Sequence, residues 1–205
     1  LMLAVMSCLL FSGCGGQSEQ KKFVITYLPN ESTDKNADAR KGMAGDLSKV
    51  LGMEVTELVC IDYNAVIEAM RTGKADMAYF GPLSFCLAYE RAGAEPIGMI
   101  AKDKDKKNAT YKSVLVTSSK NTDINSIQDI KGKTMAFVDP NSTSGNLIPS
   151  AAIMKAFPGE KLSMDDLHTN GKFFQAVSFS GKHQAGLAAV FKGDVQVNPI
   201  SDALL

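Results

Sequence analysis

Residues 139–150 read DPNSTSGNLIPS, between the apolar run at 135–138 and the apolar series at 151–154. Ser142, Thr143 and Ser144 put three hydroxyls in a row, and Gly145 follows. If a strand ends here and a helix begins, those hydroxyls meet backbone N–H groups that have no intrahelical partner. The helix dipole adds partial positive charge at the same place, and together these features hold an anion without a charged side chain. Ordinary capping is the competing reading, but a cap needs one hydroxyl and contributes about 1 kcal/mol. Three hydroxyls followed by a glycine exceed that need. Pro149 would cost a backbone bond in a helix starting at Ser144. It is therefore expected at the first position of the regular helix, with 144–148 in a looser turn.

Other chemistry-bearing residues stand where strands are expected to end. Tyr27 follows FVIT, and Tyr79 follows DMA ahead of Phe80, Gly81 and Pro82. Ser180, Gly181, Lys182 and His183 follow FQAVSF, and Ser201 and Asp202 follow VQVNPI. Singly, each has a bland explanation: a histidine in the core or on the surface, tyrosines in strands. In open parallel sheets, however, ligands bind beyond the carboxyl ends of the strands. Convergence on one sheet edge gives these residues a shared role.

Covalent chemistry has little support. GKT at 132–134 lacks the glycine that a phosphate-binding P-loop would need at Ile127. No G-x-S-x-G elbow occurs. Asp165 and Asp166 read as a solvent-facing helix start, a poor acid–base couple. No metal or cofactor is expected, since there are only two histidines, His168 and His183.

The elements that must position these residues alternate along the chain. FVITYL (23–28) reads as a strand, and 37–51 as a helix with Met43, Leu47, Val50 and Leu51 on one face and Gly52 at its end. MEVTELVCI is the next strand. The following helix sets Tyr63, Val66, Ile67 and Met70 at helical spacing, and Gly73 stops it. ADMAYF reads as a short buried strand, LSFCLAYERAG as a helix, and EPIGMIA as a strand. KDKDKKNATYK (102–112) is a solvated, charged connection where one α/β unit hands over to another. Beyond it come the strand SVLVTS, a helical turn near 126–130, the strand KTMAFV and a helix reaching Phe157. The strand FQAVSF, a helix over 183–192 with Leu187, Val190 and Phe191 inward, and the strand VQVNPI follow. This alternation implies mainly parallel sheets with right-handed crossovers.

The 205 residues carry 22 basic and 22 acidic side chains, and 45% are hydrophobic. That suits one large domain or two small ones. Zero net charge without a basic stretch argues against nucleic acid as a partner. The opening LMLAVMSCLLFSGCGG is too short an apolar run to cross a bilayer, which takes about 20 residues, and reads as part of an export signal. FSGC resembles the lipobox of bacterial lipoproteins, which makes Cys14 the lipidated residue and GGQSEQKK a polar tether. Cys60 and Cys86 are expected to be buried free thiols.

With this leader, the segments ADMAYFGPLSF, VDPNSTSGNLIPS and SFSGKHQAGLAAVFKGDVQVNPISD resemble the phosphate-, phosphite- and phosphonate-binding receptors of bacterial ABC importers. The likeness runs from about Phe23 to the last residue, and DPNSTSG is its most specific part. It implies the α/β type II periplasmic-binding-protein fold: two lobes with mainly parallel sheets, joined by a hinge and closing on the ligand. The lobes would be 23–104, incomplete, and 105–205, nearly complete, after a leader and tether at 1–22. Receptors of this kind are longer, so the sequence is expected to be a fragment truncated at its C-terminus.

Residue by residue, the resemblance implies Tyr27 and Tyr79 at the first lobe's side of the cleft. Ser142, Thr143 and Ser144 match the cradle for the phosphonate oxygens, and His183 matches the imidazole contacting the same group. Asp202 falls near a carboxylate for an ammonium-bearing ligand. The expected function is capture of a phosphonate, phosphite or phosphate-like oxyanion and delivery to an ABC permease, from the periplasm or cell envelope with a lipid anchor in the membrane. The alternatives are a receptor for another small anion such as a sulfonate, and a secreted phosphoester hydrolase using Ser142 or Ser144 with His183.

Overall fold

The computed structural model describes residues 21–30, 36–101, 103 and 105–205. The leader, Cys14 included, lies outside the described residues. The first half holds strands β1 (Phe23–Tyr27), β2 (Val55–Leu58) and β3 (Met77–Tyr79), with helices α1 (Ala37–Leu51), α2 (Tyr63–Arg71) and α3 (Pro82–Ala92). Its three strands are parallel in the order β2-β1-β3, so β1 is central. The register sets Tyr27 directly beside Tyr79. Asp62 starts α2 by accepting the Ala65 N–H at 2.7 Å. Pro82 starts α3 where its missing N–H costs nothing.

The second half holds β4 (Ser113–Thr117), β5 (Thr134–Phe137), β6 (Ala176–Phe179) and β7 (Val197–Ser201), with α4 (Ile148–Ala156), α5 (Met164–His168) and α6 (His183–Lys192). The sheet order is β4-β7-β5-β6. β5 is parallel to β6 and β7, and β4 is antiparallel to β7. Met135, Phe137, Ile153, Leu167, Phe173, Phe174 and Val197 form its core. A second cluster joins the halves: Val138, just past β5, packs with Leu28, Tyr63 and Val66 of the first.

Several sequence expectations need correction. EPIGMIA is not a strand; no described residue pairs with it, and Ile97, Met99 and Ile100 stay exposed. An apolar run becomes a strand only if a ladder partner satisfies its backbone. The apolar face of α1 contributes no buried residue, and Val50 is exposed. Phe191 points to solvent at 71% exposure, because α6 turns His183, Gly186 and Val190 inward instead. β3 is half-buried rather than buried. Cys60 and Cys86 are free, but Cys60 is only half-buried and Cys86 is exposed on α3.

Gly186 explains the inward face of α6. A Cβ there would lie 2.2 Å from Asn198 Nδ2 of β7, so only glycine lets the helix approach the sheet. Asn198 is fully buried and donates to the Ala136 carbonyl at 2.7 Å, so it has little freedom to retreat. Gly186→Ala should therefore destabilise the protein by about 1–3 kcal/mol through overpacking. A thermal melt should show the midpoint falling by roughly 2–12 °C; an unchanged midpoint would mean that α6 can slide.

Candidate functional site

The site is built on the turn that follows β5. Val138 N–H donates to the Gly145 carbonyl at 3.0 Å, folding 139–145 back onto the strand end. Ser142 Oγ accepts the Gly145 N–H at 3.0 Å, and Leu147 N–H reaches the Ser142 carbonyl at 3.0 Å. The result is one wide π turn, Thr143–Leu147, ahead of α4. The looser turn expected from Pro149 is present, with Pro149 at the second rather than the first position of α4.

Asn146 and His168, which sequence reasoning did not single out, hold this turn from behind together with Asp139. Asn146 is buried, and its Nδ2 donates to the Pro140 carbonyl at 3.0 Å. Its Oδ1 lies 2.7 Å from His168 Nε2, which therefore carries the proton. The His168 ring meets Phe137 and Phe179 edge-on, with centroids 5.0 and 5.2 Å away. Burial lowers its pKa, opposed by Asp165. Asp139 accepts the Asn141 N–H at 2.8 Å. Burial raises its pKa, opposed by the backbone N–H groups of Asn141 and Tyr63, and the nearby Asp62 adds to the rise. Asn146 and His168 are 22 positions apart, and no spacing rule links them.

Ser142 and Ser144 are buried, Thr143 is half-buried, and all three hydroxyls are engaged. Thr143 Oγ1 accepts the Leu83 N–H at the start of α3, at 2.8 Å across the two halves. A hydroxyl that accepts a backbone N–H still has its own O–H to donate, so Ser142 and Thr143 are set as donors. Ser144 Oγ lies 3.4 Å from His183 Nε2. His183 opens α6 and is 3% exposed, and burial pushes its pKa down to about 4. The Pro199 carbonyl near the ring pulls the other way, but no bond of good geometry reaches Nδ1, which is buried and unpaired.

The remaining sequence candidates are placed differently. Tyr27 is buried with its hydroxyl 3.5 Å from Met43 Sδ, and the Arg40 guanidinium lies 5.8 Å from its ring centre. Burial chiefly raises its pKa, with Glu57 adding to the rise and Arg40 opposing it. Tyr79 is half-buried beside it. Asp202 is exposed at the end of β7, where its carboxylate accepts the Lys112 N–H at 2.8 Å. Among the described residues no group of three or more His, Cys, Asp and Glu is placed to hold a metal ion.

Two α/β lobes whose facing helix starts carry hydroxyls and a neutral imidazole define a binding protein of the type II periplasmic class. Comparison with known proteins gives the family. Residues 25–205 match the family described as the periplasmic substrate-binding protein of the phosphonate ABC transporter, and the chain belongs to it. It is 28% identical to the phosphate-import protein PhnD of Mycolicibacterium smegmatis, covering 98% of this chain and 64% of that protein. It is 32% identical to a probable ABC transporter phosphite-binding protein of Prochlorococcus marinus, over 92% of this chain and 62% of that one. The chain thus spans just under two thirds of these relatives' length. Among solved structures it resembles a binding-protein component of an ABC phosphonate transporter from Pseudomonas aeruginosa, with TM-score 0.73 and 25% identity, over 90% of this chain and 58% of that one. The methylphosphonate complex of the P. marinus protein PhnD1 matches with TM-score 0.69 and 25% identity, over 90% of this chain and 65% of that one.

The His183 environment sets a pH dependence. Above the ordinary pKa of 6.5, folded and unfolded chains both hold a neutral ring. As pH falls further, the unfolded ring gains a proton that the folded one refuses until about pH 4. Stability is therefore fully present above pH 6.5 and is lost progressively between 6.5 and about 4, by on the order of 3 kcal/mol. Denaturant titrations of the parent and His183→Gln across this window should show the acid loss shrinking in the variant, and NMR should show the ring neutral at pH 6.

Proposed function

We propose that this protein is the solute-binding receptor of an ABC importer and that it captures a small phosphorus oxyanion for delivery to a permease. The observation that carries the reading is the buried grouping of Ser142, Ser144 and His183 at the starts of α4 and α6, at the carboxyl end of β5. Neutral O–H and N–H donors hold a tetrahedral anion there without a counter-charge, and the helix starts supply the positive potential. Charge-assisted hydrogen bonds to the anion are about twice as strong as neutral ones. The relatives are named for phosphate, phosphite and phosphonate, which supports this ligand class.

In this reading residues 23–104 form the first lobe and 105–205 the second. Tyr27 and Tyr79 line the first lobe's side of the cleft, and Asp202 is the carboxylate available to an ammonium-bearing ligand. Cys14 carries a lipid that anchors the protein in the membrane on the periplasmic side. A phosphoester hydrolase is disfavoured by the geometry of the Ser144–His183 pair. Ser144 and His183 are 3.4 Å apart, Nδ1 has no carboxylate to orient it, and a ring with a pKa of about 4 is a weak base.

Calorimetry with methylphosphonate, 2-aminoethylphosphonate, phosphite, phosphate and an alkanesulfonate tests the ligand class. Ser142→Ala and Thr143→Ala should each weaken the preferred phosphorus ligand roughly ten- to hundredfold, the equivalent of one charge-assisted bond of about 1.5–3 kcal/mol. Tightest binding of the sulfonate, or turnover of a phosphate ester, would replace the reading.

Lipidation makes a separate claim. Expressed with its leader in a bacterial host, the protein should fractionate with membranes, and Cys14→Ala should leave it unprocessed or soluble. Mass spectrometry finding an unmodified mature N-terminus at another residue would remove the anchor.

A further inference from the structure

The peptide unit between Ser144 and Gly145 is held at both ends by serine hydroxyls. Its N–H, on Gly145, donates to Ser142 Oγ at 3.0 Å. Its carbonyl, on Ser144, accepts the Ser113 hydroxyl at 2.8 Å. Ser113 is the half-buried first residue of β4 and stands 31 positions from Ser144 in the chain. The ladder sets it beside Ser201 of β7. Just before it, Lys112 N–H donates to Asp202 Oδ1 at 2.8 Å, and the Lys112 carbonyl accepts the Asp202 N–H at 3.0 Å. Ser113 is therefore presented to the turn from a fixed sheet end.

The turn itself calls for a donor at this place. Leu147 N–H reaches the Ser142 carbonyl and Ile148 N–H reaches the Thr143 carbonyl, each five positions back. The same step assigns the Ser144 carbonyl to residue 149, which is a proline and has no N–H. Ser113 supplies from another strand the hydrogen that Pro149 lacks. A carbonyl only accepts, so the Ser113 proton points into the turn. The bonds then follow one another: Ser113 O–H to the Ser144 carbonyl, Gly145 N–H to Ser142 Oγ, and the Ser142 proton left to donate onward. Hydrogen bonds in such a chain polarise one another, each strengthening the next donor.

We propose that Ser113 is a positioning residue for the anion site, aiming and polarising the Ser142 hydroxyl through the peptide between Ser144 and Gly145. It acts through Ser142 rather than by touching the ligand. The bond chain concerns the ligand-free turn, whereas its effect on affinity rests on the receptor reading above.

Amide NMR of the ligand-free protein reads the chain, and calorimetry with methylphosphonate reads its effect on the site. Ser113→Ala removes the donor, whereas Ser113→Thr keeps a hydroxyl on a residue that suits a strand. The Gly145 amide proton should move upfield in Ser113→Ala, as its bond to Ser142 weakens, and stay near the parent position in Ser113→Thr. Affinity should fall roughly three- to tenfold in Ser113→Ala, the size of one neutral hydrogen bond, and Ser113→Thr should restore it. In a Ser142→Ala background the loss from Ser113→Ala should shrink, because the chain ends on that hydroxyl. If Ser113→Ala does not fold, Ser113→Cys takes its place in each comparison, since a thiol is a weak donor. An unmoved Gly145 resonance, or a threonine variant as weak as the alanine one, overturns the proposal. An equal loss of affinity in both backgrounds also overturns it and leaves Ser113 as a local brace of the turn. A parent that ignores methylphosphonate, with a Gly145 resonance that answers to alanine but not to threonine, supports the bond chain and refutes the ligand reading.

Discussion

The hydrogen bond from Val138 N–H to the Gly145 carbonyl, 3.0 Å long, is the constraint on which the site depends. It folds the chain back onto the end of β5 and brings residue 145 against Val138. A Cβ at 145 would lie 2.3 Å from Val138 Cβ, so the hydroxyl run has to end in glycine. With the chain folded this tightly, the following turn is widened into a π turn, and the Ser142 hydroxyl bridges its mouth to Gly145 N–H. The seat of Ser144 against His183 and the entry of Val138 into the other lobe both follow from that one return of the chain.

The electrostatics of the site are those of dipoles rather than charges. His183 is kept neutral by burial, with a pKa of about 4. The carboxylate nearest the turn, Asp139, accepts a backbone N–H of its own turn. A buried positive charge would carry a large desolvation cost in the absence of an anion, whereas O–H and N–H donors on a rigid frame carry far less. The frame is made rigid by a second polar layer, in which Asn146 and His168 tie the turn to Pro140 and to α5. Aromatic rings of Phe137 and Phe179 hold His168 in place.

Because the turn proposed to hold the ligand also contacts the first lobe, binding and closure would share residues. Thr143 illustrates the economy: its oxygen accepts from Leu83 N–H while its hydrogen remains to be donated. Of the side chains proposed to recognise an anion, Thr143 also meets a helix start of the opposite lobe. Affinity in this architecture reflects the cost of bringing the lobes together as much as the contacts to the ligand.

By itself the sequence determined the alternating elements and the placement of hydroxyls after β5. Period and punctuation are local, so α2, α6 and the glycine after α1, α3 or α6 could be read directly, and Pro149 announced the looser turn before α4. Only tertiary structure decided which apolar faces are covered. EPIGMIA has strand-like composition, yet no described residue offers it a ladder, and Phe191 has helical spacing but faces water because Gly186 sets the inward side of α6. Strand order was equally out of reach, since β7 enters between β4 and β5 by pairing residues more than 60 positions apart. The same holds for Val138 against α2, Thr143 on α3 and His168 behind Asn146. A residue's type and its neighbours in the chain fix what it can donate or accept, but its partner is chosen by the packing of distant elements, which has no local period to read.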